Sequence, residues 1–125
     1  MEESGFILPT EPDYLYCSVC DKDIENPAAD YEGFHAKRKQ RKNNNPMVHY
    51  GVIISANQVV KDAAVRDRLR DKFDALCVEM EAAGLMNEFP CLVIRGICDY
   101  ADVHKNDAWH AYAAMTTAVY AKESL

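Results

Sequence analysis

From Met47 to the end of the chain, apolar runs of strand character alternate with segments of helical spacing, and this alternation restricts the fold more than any other feature. Met47 to Ala56 (MVHYGVIISA) is apolar and β-branched without helical spacing, and reads as a buried strand. Asp62 to Phe73 carries Ala63, Val65, Arg66, Leu69, Arg70 and Phe73 on one helical stripe, so it predicts an amphipathic helix. Ala75 to Val78 is a short strand, and Glu81 to Glu88 a helix that Pro90 stops. Cys91 to Cys98 (CLVIRGIC) reads as a further buried strand. Asn106 or Asp107 is placed to N-cap a last helix, Ala108 to Leu125. The order β-α-β-α-β-α calls for an α/β fold, a mostly parallel sheet with helices packed against it.

Three parallel strands make a small sheet, and parallel strands are normally covered on both faces and flanked by neighbours. Residues 1–46 are poor candidates for the missing neighbours. They hold four of the five prolines (Pro9, Pro12, Pro27, Pro46), few aliphatic residues and the run Lys37 to Lys42. Such composition offsets little chain entropy by burial, so an irregular, Pro- and charge-rich segment is expected there. Residues 47–125 then read as part of a domain whose sheet is incomplete.

The 125 residues are 49% apolar and 27% charged, which fits a globular domain. The net charge of -6 argues against a general nucleic-acid partner. No run approaches the ~20 apolar residues of a membrane span, and the acidic N-terminus lacks the form of a signal peptide. Five cysteines make an odd count, with Cys77, Cys91 and Cys98 inside apolar runs, so reduced thiols and a cytoplasmic setting are expected.

The chemistry-bearing residues gather between Leu76 and Asp102. Acids at the carboxyl ends of buried strands converge on one crevice in α/β folds. Asp99 and Asp102 follow the CLVIRGIC run; burial there would raise the pKa of Asp99 and suit it to general-acid work near neutral pH. The plainer reading is that these aspartates cap the following turn. Glu79 and Glu81 flank Met80, and alternate residues of an extended segment share a face. Two carboxylates accept hydrogen bonds from vicinal hydroxyls while a thioether packs on a sugar. Their plainer reading is a solvated helix start favoured by the helix dipole.

Taken together, these segments resemble the C-terminal half of the purine nucleoside phosphorylase and methylthioadenosine/adenosylhomocysteine nucleosidase superfamily. Val78 to Gly84 is similar to its VEMEAA element, Val93 to Asp102 to its (V/I)RxISDxAD element, and Gly51 to Gln58 to its GxIASG(D/N)Q strand and loop. The runs HYGVIISANQV, VEMEAAGL and PCLVIRGICDYADVHKN look most like a divergent fungal branch, in which this domain precedes NACHT, ankyrin or tetratricopeptide modules. The resemblance implies a three-layer α/β/α sandwich and cleavage of a purine N-glycosidic bond, with phosphate or water as acceptor and no further cofactor.

By the same resemblance, Asp99 would protonate or hydrogen-bond N7 of the purine while an oxocarbenium-like charge grows on the ribose, much as in glycoside hydrolysis. Glu81 would hold the ribose hydroxyls, Met80 would pack on the sugar, and Glu79 would support them. Arg95 would lie on the phosphate or water side. Asn57, Gln58 and Val59 would border the base, with Cys98 beside the catalytic acid. Cys98 stands where the family usually has serine, and a thiol is the poorer donor. Ala56 stands where a glycine is usual; a Cβ there would cost roughly 1 kcal/mol if the position needs positive φ. No GxG loop of the kind that binds phosphate precedes His49.

Other signals are read as structural. Cys17 and Cys20 form one CxxC, half of a usual zinc set, so no metal is assigned. The Lys37 to Lys42 run reads as a solvated basic loop, Trp109 and Tyr112 as helix packing, and His104 and His110 as surface or cap residues. Two classes of function follow: an enzyme acting on purine nucleosides, or a nucleoside-sensing module of a signalling protein that binds without turnover. A truncated product needing a partner is the third. The expected partners are a purine nucleoside, a second copy of the chain, or the missing N-terminal half and effector modules, with neither nucleic acid nor membrane.

Overall fold

The computed structural model describes residues 8–9, 14–15, 42–43 and 45–125. The expected irregular N-terminal segment, the basic run to Lys42 and the Cys17–Cys20 pair fall almost wholly outside the described residues.

Strand β1 is Val52–Ser55 and strand β2 is Ala75–Glu79, paired in parallel. Helix α1, Ala63–Phe73, makes the crossover between them, followed by α2, Ala82–Met86, and α3, His110–Ser124. Local chemistry sets the ends of α1. The Asp62 carboxylate accepts the N–H groups of Ala64 (2.7 Å) and Val65 (3.1 Å), which satisfies two of the orphan donors of the first turn. At the other end Asp74 adopts the left-handed conformation (φ 51°) and its N–H closes on the Arg70 carbonyl. The last helix opens as the sequence indicates: Asn106 accepts from the Ala108 N–H (2.9 Å), and a single 3-10 turn, Asp107–Trp109, leads into α3.

The β1–β2 register pairs Ser55 with Glu79, so the carboxyl ends of both strands coincide. The Ala56 N–H continues the ladder to the Glu79 carbonyl (2.8 Å). Gly51, just ahead of β1, lies under Leu76: a Cβ there would stand 2.7 Å from the Leu76 Cδ1.

Two sequence expectations need correction. The strand expected over Met47 to Ala56 is formed only in its later part, Val52–Ser55, and Met47, Val48 and Tyr50 are exposed and unpaired in the sheet. The strand expected over Cys91 to Cys98 belongs to no ladder, and the sheet among the described residues has two strands rather than three. Apolar β-branched residues report a buried setting, but a strand exists only where a neighbour supplies the ladder partners. Residues 91–98 instead pass against α3, where Gly96 comes so close that an added Cβ would collide with the Ala113 carbonyl and the Thr117 hydroxyl.

The core is small. Among the described apolar residues only Ala63, Ala82 and Ala113 are buried, while Tyr50, Phe89, Leu92 and Ile97 are more than half exposed. Tyr50 reaches across to α3 through a hydroxyl–hydroxyl bond to Tyr120 (2.8 Å). No helix among the described residues is long and apolar enough to cross a membrane.

Candidate functional site

Two clusters of charged side chains occupy the stretch singled out by the sequence. The first sits where β2 ends and α2 begins. Glu79 closes β2 and is buried, and its Oε2 accepts the N–H groups of Glu81 and Ala82, both at 2.9 Å. It thus caps α2 from two residues upstream of Glu81, which makes no side-chain cap bond itself. Burial acts to raise the Glu79 pKa, but hydrogen bonds from the Ser55 hydroxyl and those two N–H groups, with the Arg95 charge, outweigh it and hold the carboxyl below its ordinary value. Ser55 also ties this corner to α2 by accepting the Ala83 N–H (3.0 Å).

β2 stops between Glu79 and Glu81, so the first carboxylate is buried and the second is not. Glu81 points to solvent, its side chain 62% exposed, and Arg95 bridges the pair: its Nη1 lies 3.0 Å from Glu81 and 4.0 Å from Glu79. Met80, between them, is 44% exposed. A solvent-facing carboxylate held by one arginine is open to hydroxyl groups of a ligand.

The second cluster lies on the loop after residue 98. Asp99 accepts the Ala101 N–H on Oδ1 (2.8 Å) and the Lys105 ammonium on Oδ2 (2.9 Å), with the Cys98 thiol 3.7 Å from Oδ2. Ala101 completes this turn in the left-handed region (φ 53°). The expectation of a raised Asp99 pKa is overturned. Burial does push it up, but Lys105, the Ala101 N–H and the Cys98 thiol together bring it below the usual value. The Cys98 thiol is pushed up, first by burial and then by the adjoining Asp99 charge.

Asp102 is the most buried side chain of the region. It accepts the His104 N–H (2.9 Å) and lies 3.6 Å from the Arg66 guanidinium, which also donates to the Tyr100 carbonyl (3.1 Å). The turn-capping reading therefore holds for both aspartates, and α1 clamps the loop through Arg66. Ala56 is not among the residues of positive φ, so the alanine that replaces the family glycine carries no strain. Asn57, Gln58 and Val59 form the exposed loop after β1.

Ser55, Arg66 and Lys105 were not among the site residues legible in the sequence. Arg66 had a signal, a charged residue on the apolar stripe of α1, where only a buried partner justifies it. Ser55 and Lys105 had none beyond their motifs.

The family model described as "Phosphorylase superfamily" matches residues 9–124. The chain belongs to that superfamily. It is 58% identical over 92 residues, 73% of its length, to a nucleotide-binding leucine-rich repeat (NLR)-like protein of Hyaloscypha variabilis, of which this covers 9%. It is 34% identical over 85 residues, 63% of its length, to the ATP nucleosidase Cap17 of Escherichia coli, of which this covers 17%. The chain thus spans less than a fifth of these relatives. No solved structure matches.

Proposed function

We propose that residues 47–125 carry the sugar and base side of a purine N-glycosidic cleavage site within a three-layer α/β/α domain. The observation that carries this reading is the Glu81–Arg95 corner at the carboxyl end of β2, where an exposed, arginine-held carboxylate faces solvent next in sequence to the exposed Met80. Superfamily membership supports Glu81 as the holder of the ribose hydroxyls and Asp99 as the group facing N7.

An ionised Asp99 accepts protons rather than donating them, so the pair with Lys105 matters. An entering purine that displaces Lys105 removes the main group that stabilises the charge, and burial then raises the Asp99 pKa toward the range of a general acid. Proton transfer to N7 makes the base a neutral leaving group. The name of the Escherichia coli relative favours a phosphorylated adenine nucleoside as substrate and water as acceptor. Arg95 faces the growing charge indirectly, by holding Glu81. The phosphate or water side is supplied from outside these residues.

Chromatography of purified protein incubated with ATP or adenosine, with and without phosphate, tests turnover. Free adenine is expected, and Asp99→Asn should reduce its release by about 10² or more, the usual worth of a positioned acid. No release at high protein concentration overturns the catalytic reading. The 58% likeness to an NLR-like protein favours one second reading, nucleoside sensing without turnover. Calorimetric binding without adenine release would select it.

A further inference from the structure

We propose that Cys98, Asp99 and His110 form a binding site for a borderline-soft divalent cation, Zn²⁺ in the first instance. One ligand atom from each residue lies within 4.8 Å of the other two. Cys98 Sγ and Asp99 Oδ2 are 3.7 Å apart. Two donors at the tetrahedral angle on zinc, with Zn–S of ~2.3 Å and Zn–O of ~2.0 Å, sit about 3.5 Å from each other. That pair therefore needs little movement to share an ion.

The third donor comes from a different element. His110 opens α3 with its side chain 54% exposed, and its Nε2 lies 3.6 Å from Asp107 Oδ1. Thiolate, imidazole and carboxylate together suit zinc rather than magnesium or calcium, which take oxygen donors. Three protein donors leave the fourth tetrahedral position to water. The charges balance: Cys98 gives its proton to solvent, and thiolate and carboxylate neutralise the dication while the imidazole stays neutral.

Lys105 opposes this, because its ammonium occupies Asp99 Oδ2 at 2.9 Å. Its side chain is one-third exposed on a flexible stem, so metal entry exchanges one cation for another at the same oxygen. Asp99 is then either paired with Lys105 or bound to metal, and the metal-bound form is withdrawn from a purine. The site itself does not depend on the nucleoside reading, and its test uses no nucleoside. It arises from this chain's cysteine, in the place where the superfamily motif has serine.

Cobalt titration of the full chain, followed by visible absorption and displacement with Zn²⁺, is the experiment. A thiolate-to-cobalt charge-transfer band with the intense d–d absorption of a tetrahedral ion is expected. The same titration in a Cys17→Ser, Cys20→Ser background should give the same bands, which removes the other thiol pair as their source. Cys98→Ser should abolish the charge-transfer band. His110→Ala, at an exposed position, should weaken affinity at least tenfold. Lys105→Met should tighten it. Absence of the bands in the native chain, their persistence in Cys98→Ser, or an unchanged affinity in His110→Ala would overturn the proposal.

Discussion

Glu79 and Asp99 are the residues on which local order depends most, and both act as hydrogen-bond acceptors before they act as charges. Removing the Glu79 carboxylate strands the Glu81 and Ala82 N–H groups at the start of α2. Glu79→Ala should therefore cost about 1–3 kcal/mol per buried donor left unpaired, and Glu79→Gln clearly less, since an amide oxygen still accepts. Urea unfolding of the two variants checks the order. Both acids also have folded pKa values below their ordinary ones. The folded chain then binds fewer protons than the unfolded one as pH falls. Their stabilisation is complete above the unfolded carboxyl values, near pH 4, and is lost as pH drops through the lower folded values. Asp99→Asn should flatten this acid limb of a stability-against-pH curve, and an unchanged limb would show that Lys105 and Ala101 do not hold the charge.

At the scale of elements, the helices were legible because their end signals are local. Asn106 and Pro90 each act within a few residues, and the turn that leads into α3 starts at the Asn106 cap. The CLVIRGIC segment was not legible as it is, because a ladder depends on a partner distant in sequence. The site shows the same division. Glu79, Glu81, Arg95 and Asp99 stand in motifs that name them, whereas the Lys105 pairing that inverts the Asp99 pKa depends on how the loop folds. The contact of residues 91–98 with α3 gives a further test. Gly96→Ala would drive a Cβ into the Ala113 carbonyl and the Thr117 hydroxyl, and should cost about 1–3 kcal/mol of overpacking. A neutral effect on thermal melting would mean that α3 is not held against this segment.

At the scale of the molecule, the described residues contrast well-made local corners with little shared core. The described residues leave Leu92, Tyr50, Phe89 and Ile97 to solvent and present a two-stranded sheet. Isolated two-stranded pairings are marginal in water, and large exposed apolar surfaces mark contact with something else. The purified chain is expected to bind an apolar dye and to melt broadly, and a sharp cooperative transition without dye binding would contradict this. The corner at the end of β2 can persist in such a chain because Ser55 and Glu79 close two paired strands and Arg95 bridges Glu79 and Glu81.

Both functional readings require a nucleoside to be bound through Glu81 and Asp99, so isothermal titration of adenosine and ATP into the purified chain is the most direct measurement. Saturable binding is expected, weakened at least several-fold by Glu81→Ala and by Asp99→Asn. A flat titration, or binding that neither substitution alters, would contradict the assignment of these residues to a nucleoside site.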